Sequence, residues 1–187
     1  MNNSPIGVYD SGFGGLSVWR EIHRRLPEES LLYLGDGKNC PYGGRSREEI
    51  TAFAREAVER LIREGVKMVV VGCNTATTAA VDALRAEWPD IPIVGLEPAV
   101  KPACLSSRTR RIAVLATAHS LQSDMFLNTA RRYAADVEVI KVEGRGFVEL
   151  VEASEEDSPK AERLVREVVE PLLDKGVDRI VLGCTHY

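Results

Sequence analysis

One twelve-residue pattern occurs twice in this chain, at residues 65–76 and 176–187, and it limits what the chain can fold into more than any other feature. The first copy reads GVKMVVVGCNTA and the second GVDRIVLGCTHY. Gly65, Val66, Val70, Gly72 and Cys73 stand in register with Gly176, Val177, Val181, Gly183 and Cys184. A short run of β-branched and other apolar residues ending in glycine predicts a strand buried on both faces, the habit of a parallel sheet covered by helices. The cysteine then falls just past the strand's carboxyl end, the edge at which open α/β sheets bind ligands. Residues 74–88 are helix-compatible, with Asn74 or Thr75 available as cap, so the Cys73 thiol lies beside a helix N-terminus whose partial positive charge favours thiolate. A single such cysteine reads equally well as a buried, inert thiol. Two at equivalent points of a duplicated unit are hard to explain by packing alone.

The remaining chain alternates strand and helix patterns. Strands are expected at 6–9, 31–34, 68–71 and 93–96, with helices at 16–26 and 46–65. The second half repeats the order, with strands at 112–115 and 137–142 and helices at 120–134, 147–153 and 158–176 leading into the second cysteine unit. The expected fold class is α/β: two pseudo-symmetric doubly wound parallel-sheet domains with the active site in the interdomain cleft. Residues 1–97 form the domain with Cys73 and residues 98–187 the domain with Cys184. Residues 97–107, with two prolines and two serines, are the expected connection.

Composition narrows the function. A net charge of −4, a pI near 5.5 and scattered basic residues argue against a nucleic-acid partner. No apolar run approaches the roughly 18 residues of a membrane span, and no signal peptide is evident, so the expectation is a cytoplasmic protein acting on small molecules. The four cysteines, Cys40, Cys73, Cys104 and Cys184, are too far apart for a disulfide framework or a zinc site. No metal is expected, although His186 stands two residues from Cys184. The loop Gly12, Phe13, Gly14, Gly15 after the first strand has the layout of a phosphate cradle, but the third glycine of such a motif falls at Ser17 and Asp10 would repel phosphate. The loop is read instead as one that lets the backbone approach a small ligand, with Asp10 aimed at it.

If the two halves face each other, Cys73 and Cys184 flank whatever is bound. Two equivalent acid–base groups on opposite faces of one carbon suit a reaction that removes a proton from one side and returns it to the other, which is racemisation or epimerisation. One thiol must then be thiolate while the other is protonated, a mixed state within reach of the ordinary cysteine pKa of about 8.5. Asp10 and His186 are the natural tuners.

Five segments carry a family resemblance: VYDSGFGGLSV (8–18), YLGDGKNCPYG (33–43), VGCNTAT (71–77), GLEPAV (95–100) and VLGCTHY (181–187). Together they resemble glutamate racemase, of the aspartate/glutamate racemase superfamily. The resemblance implies a cofactor-independent cytoplasmic isomerase that makes D-glutamate for peptidoglycan synthesis, cell-wall biogenesis and cell shape. It implies Cys73 and Cys184 as proton donors and acceptors, with Asp10 and His186 as auxiliary groups. Asp10, Ser11, Tyr42, Gly43, Asn74, Thr75, Thr185 and His186 would hold glutamate, and Asp36 and Glu152 fall on acidic positions near the site. A homodimer is left open.

The chain departs from the family pattern at Gly37, Lys38 and Asn39, at His119 and Ser120, and at Gly144 to Gly146, where a cysteine–proline pair is common. Family members also continue past the position of Tyr187. A chain ending there is expected to lack the segment that completes the first domain, to be marginally stable and to turn over feebly. Three alternatives stand beside this reading: aspartate racemase or a related isomerase, a non-catalytic relative acting as a binding module, and a pyridoxal enzyme with Lys38 as its Schiff-base lysine.

Overall fold

The structure, a computed structural model, describes residues 3–187. The chain divides into two units, the first ending at Leu96 and the second spanning Glu97–Tyr187.

In the first unit β1 (Ile6–Asp10), β2 (Leu31–Gly35), β3 (Met68–Val71) and β4 (Ile93–Gly95) form one parallel sheet in the order β2-β1-β3-β4. Helices α1 (Leu16–Arg25), α2 (Arg47–Arg63) and α3 (Asn74–Glu87) connect them. The central strand β1 is buried along its whole length, as a strand sheathed on both faces should be. Ile6, Val8 and Val70 pack under Val18, Trp19 and Ile22 of α1. On the other face, a Cβ at Gly7 would press on Leu61 and Val66 at 3.1 Å. Ser46 opens α2 with a full capping box, its hydroxyl taking the Glu49 N–H while Glu49 returns to the Ser46 N–H.

In the second unit β5 (Arg111–Ala116), β6 (Glu138–Glu143) and β7 (Arg179–Gly183) make a parallel sheet in the order β6-β5-β7. Five helices accompany it: α4 (Val100–Ser106), α5 (Ala118–Gln122), α6 (Asp124–Tyr133), α7 (Phe147–Glu152) and α8 (Pro159–Asp174). Ile112, Val114, Ala116 and Val181 pack with Val100, Cys104, Leu121 and Phe126 on one face. Ala113 packs with Leu172 and Val177 on the other.

The duplication read from sequence is present in the backbone. Tyr9 pairs with Val71 and Leu115 with Leu182, so Gly72 and Gly183 stand at the same level of their sheets. Both helices that feed these strands end in the same way. Gly65 (φ +78°) and Gly176 (φ +74°) take the left-handed conformation. Val66 N–H reaches Leu61 O at 3.5 Å and Gly65 N–H reaches Ile62 O at 2.9 Å; Val177 to Leu172 at 3.1 Å and Gly176 to Leu173 at 2.8 Å repeat the pattern. That is a Schellman stop, with the valine meeting the leucine it bonds to.

Three expectations are corrected. Residues 97–107 are not a loose connection, because 100–106 form α4, with Val100, Ala103 and Cys104 buried. Pro102 is tolerated in its first turn, where no N–H is needed. The helix expected over 120–134 is two helices: Ser123 breaks it and caps α6 by accepting the Phe126 N–H, while Thr117 caps α5. Finally, β7 is not buried on both faces. It is an edge strand, and Ile180 and Leu182 are 37% and 55% exposed, whereas their counterparts Val69 and Val71 lie inside, with α3 following β3 and β4 paired beside it.

Candidate active site

At the carboxyl edge of the first sheet, Asp10, Ser11 and Cys73 are all buried. Asp10 ends β1, and its Oδ1 accepts the Gly12 N–H at 2.9 Å. A Cβ at Gly15 would overlap the Asp10 side chain, and one at Gly72 would come within 3.5 Å of its Oδ2. The glycine loop is therefore folded tightly over a carboxylate, a charge that repels phosphate.

Ser11 Oγ lies 3.3 Å from Cys73 Sγ. Cys73 is itself the N-cap of α3, its sulfur accepting the Ala76 N–H at 3.4 Å, so neither Asn74 nor Thr75 has the capping role expected of it. The expected drift toward thiolate is also corrected: the thiol is pushed up to about 11. Burial is the main cause and the Asp10 charge the second. The Ser11 hydroxyl and the N–H groups of Ala76 and Ser11 pull the other way without prevailing.

The other unit 1 residues lie around this edge. Asn74 is buried and its amide donates to Leu96 O at 3.2 Å, while Thr75 is buried beside it. Tyr42 is buried in the loop before α2, with Gly43 half-buried next to it. Tyr42 donates to Asp36 Oδ2 at 2.6 Å, and Asn39 Nδ2 donates to both Asp36 oxygens at 3.0 and 2.9 Å. Asn39, one of the departures, thus clamps the carboxylate. Lys38 is exposed, on the wall of a cavity of about 290 Å³ that Leu34, Phe53 and Arg60 also line.

In the second unit Cys184 is half-buried just past β7. His186 is buried, its Nδ1 3.9 Å from Cys184 Sγ and 3.4 Å from Thr185 Oγ1, and its Nε2 2.5 Å from Glu152 Oε1. A carboxylate only accepts, so Nε2 carries a proton, and in the neutral imidazole Nδ1 is the atom that presents a lone pair toward the thiol and the threonine. The Tyr187 hydroxyl donates to Gly144 O at 3.1 Å, and its ring lies against Phe147 with centroids 5.2 Å apart. Any Cβ at residue 144 would overlap the Tyr187 phenol, which accounts for the glycine there. Burial, and then the Cys184 charge, raise that phenol above its ordinary value. At the remaining departure, Ser120 is wholly buried and its N–H donates to Thr117 Oγ1 at 3.3 Å. Among the described residues no cysteine forms a disulfide.

The two thiols thus have unlike surroundings. A hydroxyl, backbone N–H groups and a buried carboxylate serve Cys73, and an imidazole backed by a carboxylate serves Cys184. Sequence reasoning missed Tyr9, whose buried hydroxyl is 2.7 Å from Tyr42 Oη. Nothing in the run IGVYD sets that tyrosine apart from a core residue. Among the described residues no helix is long and apolar enough to cross a membrane.

Residues 6–187 match the family described as Asp/Glu/Hydantoin racemase. The glutamate racemase of Roseiflexus sp. (strain RS-1) is 49% identical over 183 residues, covering 98% of this chain and 67% of that protein. The crystal structure of glutamate racemase isoform RacE1 from Bacillus anthracis is 37% identical with a TM-score of 0.85, and spans 100% of this chain and 70% of its own. The Escherichia coli glutamate racemase, solved with L-glutamate and the activator UDP-MurNAc-ala, is 32% identical with a TM-score of 0.87, over 98% of this chain and 70% of its own. The chain belongs to the Asp/Glu/hydantoin racemase family, and is an isomerase by that membership.

Proposed function

We propose that this chain interconverts L- and D-glutamate without a cofactor, Cys73 and Cys184 acting on opposite faces of the substrate Cα. One thiolate removes the Cα proton and the other thiol delivers a proton to the far side. The electron pair left on Cα is held meanwhile as the carboxylate-conjugated carbanion. The observation that carries this reading is the equivalence of the two cysteines: same strand level, same preceding glycine, same helix stop eight residues before, in two units of one fold.

The surroundings of each thiol support a division of labour. Cys73, pushed up to about 11, is a proton donor at neutral pH, while the Nδ1 lone pair of His186 is a base for the Cys184 proton, with Glu152 steadying the imidazolium that forms. In this reading Cys184 takes the proton from L-glutamate and Cys73 completes D-glutamate, and the roles exchange in reverse. Asp10, Ser11, Tyr42, Gly43, Asn74, Thr75, Thr185 and His186 are proposed to hold the substrate. The Escherichia coli relative was solved with L-glutamate, which supports glutamate as the substrate class. Its activator, a uridine-linked muramoyl compound, supports a role for the D-glutamate product in peptidoglycan synthesis. The four cysteines, none of them in a disulfide among the described residues, fit a reducing cytoplasm.

The test is incubation with L-glutamate in deuterium oxide, following optical activity and Cα exchange, with L-aspartate in parallel. Racemisation of glutamate and its loss in both Cys73→Ser and Cys184→Ser are expected. Near-normal racemisation by either variant would overturn the two-thiol mechanism, and faster turnover of aspartate would overturn the substrate.

A further inference from the structure

Tyr9 sits on the central strand of the first sheet, one residue before Asp10, and its side chain is wholly buried. Its hydroxyl lies 2.7 Å from Tyr42 Oη, Tyr42 donates to Asp36 Oδ2 at 2.6 Å, and Asn39 holds both Asp36 oxygens. A phenol has one proton and a carboxylate none. The Tyr42 proton goes to Asp36, so the Tyr9 proton must go to Tyr42, and the chain of donors runs one way: Tyr9 to Tyr42 to Asp36. Burial is the leading cause that keeps both phenols neutral well above their ordinary range, so neither bond is lost by ionisation near neutral pH.

The two tyrosines differ in how they are held. Tyr42 belongs to a loop, where no helix or strand fixes its orientation; it has the Phe53 ring 5.7 Å away and the Asp36 bond. Tyr9 is fixed by the pairing of β1 with β2 and β3 on either side. A buried hydroxyl at position 9 without a partner would cost stability. With Tyr42 as its partner it becomes a tie between the loop before α2 and a strand paired on both sides.

We propose that Tyr9 is a positioning residue, whose hydroxyl ties Tyr42 to the central strand and so sets the wall that Tyr42 presents to the substrate at the Cys73 edge. This rests on the racemase reading above, in which Tyr42 belongs to the glutamate pocket.

The test compares Tyr9→Phe, Tyr42→Phe and the double variant by KM and kcat for both enantiomers, by calorimetric binding of D-glutamate, and by thermal midpoint. Tyr9→Phe is expected to raise KM and the dissociation constant about three- to tenfold, the worth of one hydrogen bond, with kcat within about twofold. The double variant should be no worse than Tyr42→Phe, because the two hydroxyls act as one unit. An unchanged KM, with or without a lower thermal midpoint, or effects that multiply, would overturn the positioning role while leaving the racemase reading intact. If the unsubstituted chain neither turns over glutamate nor binds D-glutamate, the racemase reading falls and this proposal with it.

Discussion

Cys73 caps the helix that its own strand leads into, its Sγ accepting the backbone N–H of Ala76 at 3.4 Å. The thiol is thus at the positive end of α3, yet it stays protonated, because removing water from a buried sulfur and setting it near Asp10 outweigh a helix terminus. Helix-end effects amount to roughly 0.3–1 kcal/mol, up to about 2 when partly buried.

Alkylation reads this balance directly. The rate of carbamidomethylation at Cys73, followed by mass spectrometry, is expected to be slow at neutral pH and to keep climbing toward pH 11. Asp10→Asn should raise the rate at a given pH by removing the second largest cause of the shift, and Ser11→Ala should lower it. A plateau reached by pH 8 would contradict the order of causes.

The same group predicts an alkaline loss of stability. In the unfolded chain the thiol ionises near 8.5 and in the folded one near 11, so between those values the unfolded state has lost the proton and the folded state has kept it. Stability is fully present below about pH 8 and falls as pH rises through that window, by on the order of 3 kcal/mol. Urea midpoints from pH 7 to 11 should show the fall, and Cys73→Ala should flatten it.

At the other thiol, His186→Asn is expected to lower kcat/KM on the order of a hundredfold, the usual worth of a general base. Enantiomers have equal free energy, so kcat/KM must fall alike in the two directions. The asymmetry shows elsewhere: with Cα-deuterated L-glutamate the primary isotope effect should grow, because abstraction by Cys184 becomes slower, and with the D-enantiomer it should change less. Glu152→Gln should act in the same sense through the Nε2 contact. Equal isotope effects for both enantiomers would place His186 outside the Cys184 step.

An acid limb is expected from Asp178. Its carboxylate accepts the Ser107 hydroxyl at 2.7 Å and the N–H groups of Arg108 and Thr109 at 2.6 and 3.2 Å, which with Arg179 hold it down to about 2, the Ser107 bond contributing most. An unfolded aspartate ionises near 3.9, so this stability is present above pH 4 and is lost as pH falls toward 2. Urea midpoints between pH 2 and 5 should slope less in Asp178→Asn.

The chain announced its fold wherever one interaction range decided the outcome. Buried strands such as 68–71 and the amphipathic helix after Ser46 follow from local hydrophobic pattern, and the register of the two cysteine units follows from their repetition. What escaped was decided at longer range. The Pro- and Ser-containing stretch at 97–107 reads as a linker until Val100 and Cys104 are seen inside the core. Sulfur is outside the usual set of capping side chains, so Cys73 as its own cap was not legible. Tyr9 and Tyr42 lie 33 residues apart, and no pattern links them. The residues proposed for the site could be named from sequence because their motifs are dense. The height of the Cys73 pKa was not, since burial and Asp10 act through the folded surroundings.

The matched glycine stops have a consequence for how this protein tolerates change. From Gly65 to Cys73, and from Gly176 to Cys184, the count is eight residues in both copies. Each helix stop works as the zero mark of a ruler laid along its strand. One residue added or removed between mark and thiol would turn the strand's inward side chains outward and carry the cysteine off its level by about 3.3 Å. An insertion in either short interval would therefore displace a thiol and invert its strand together.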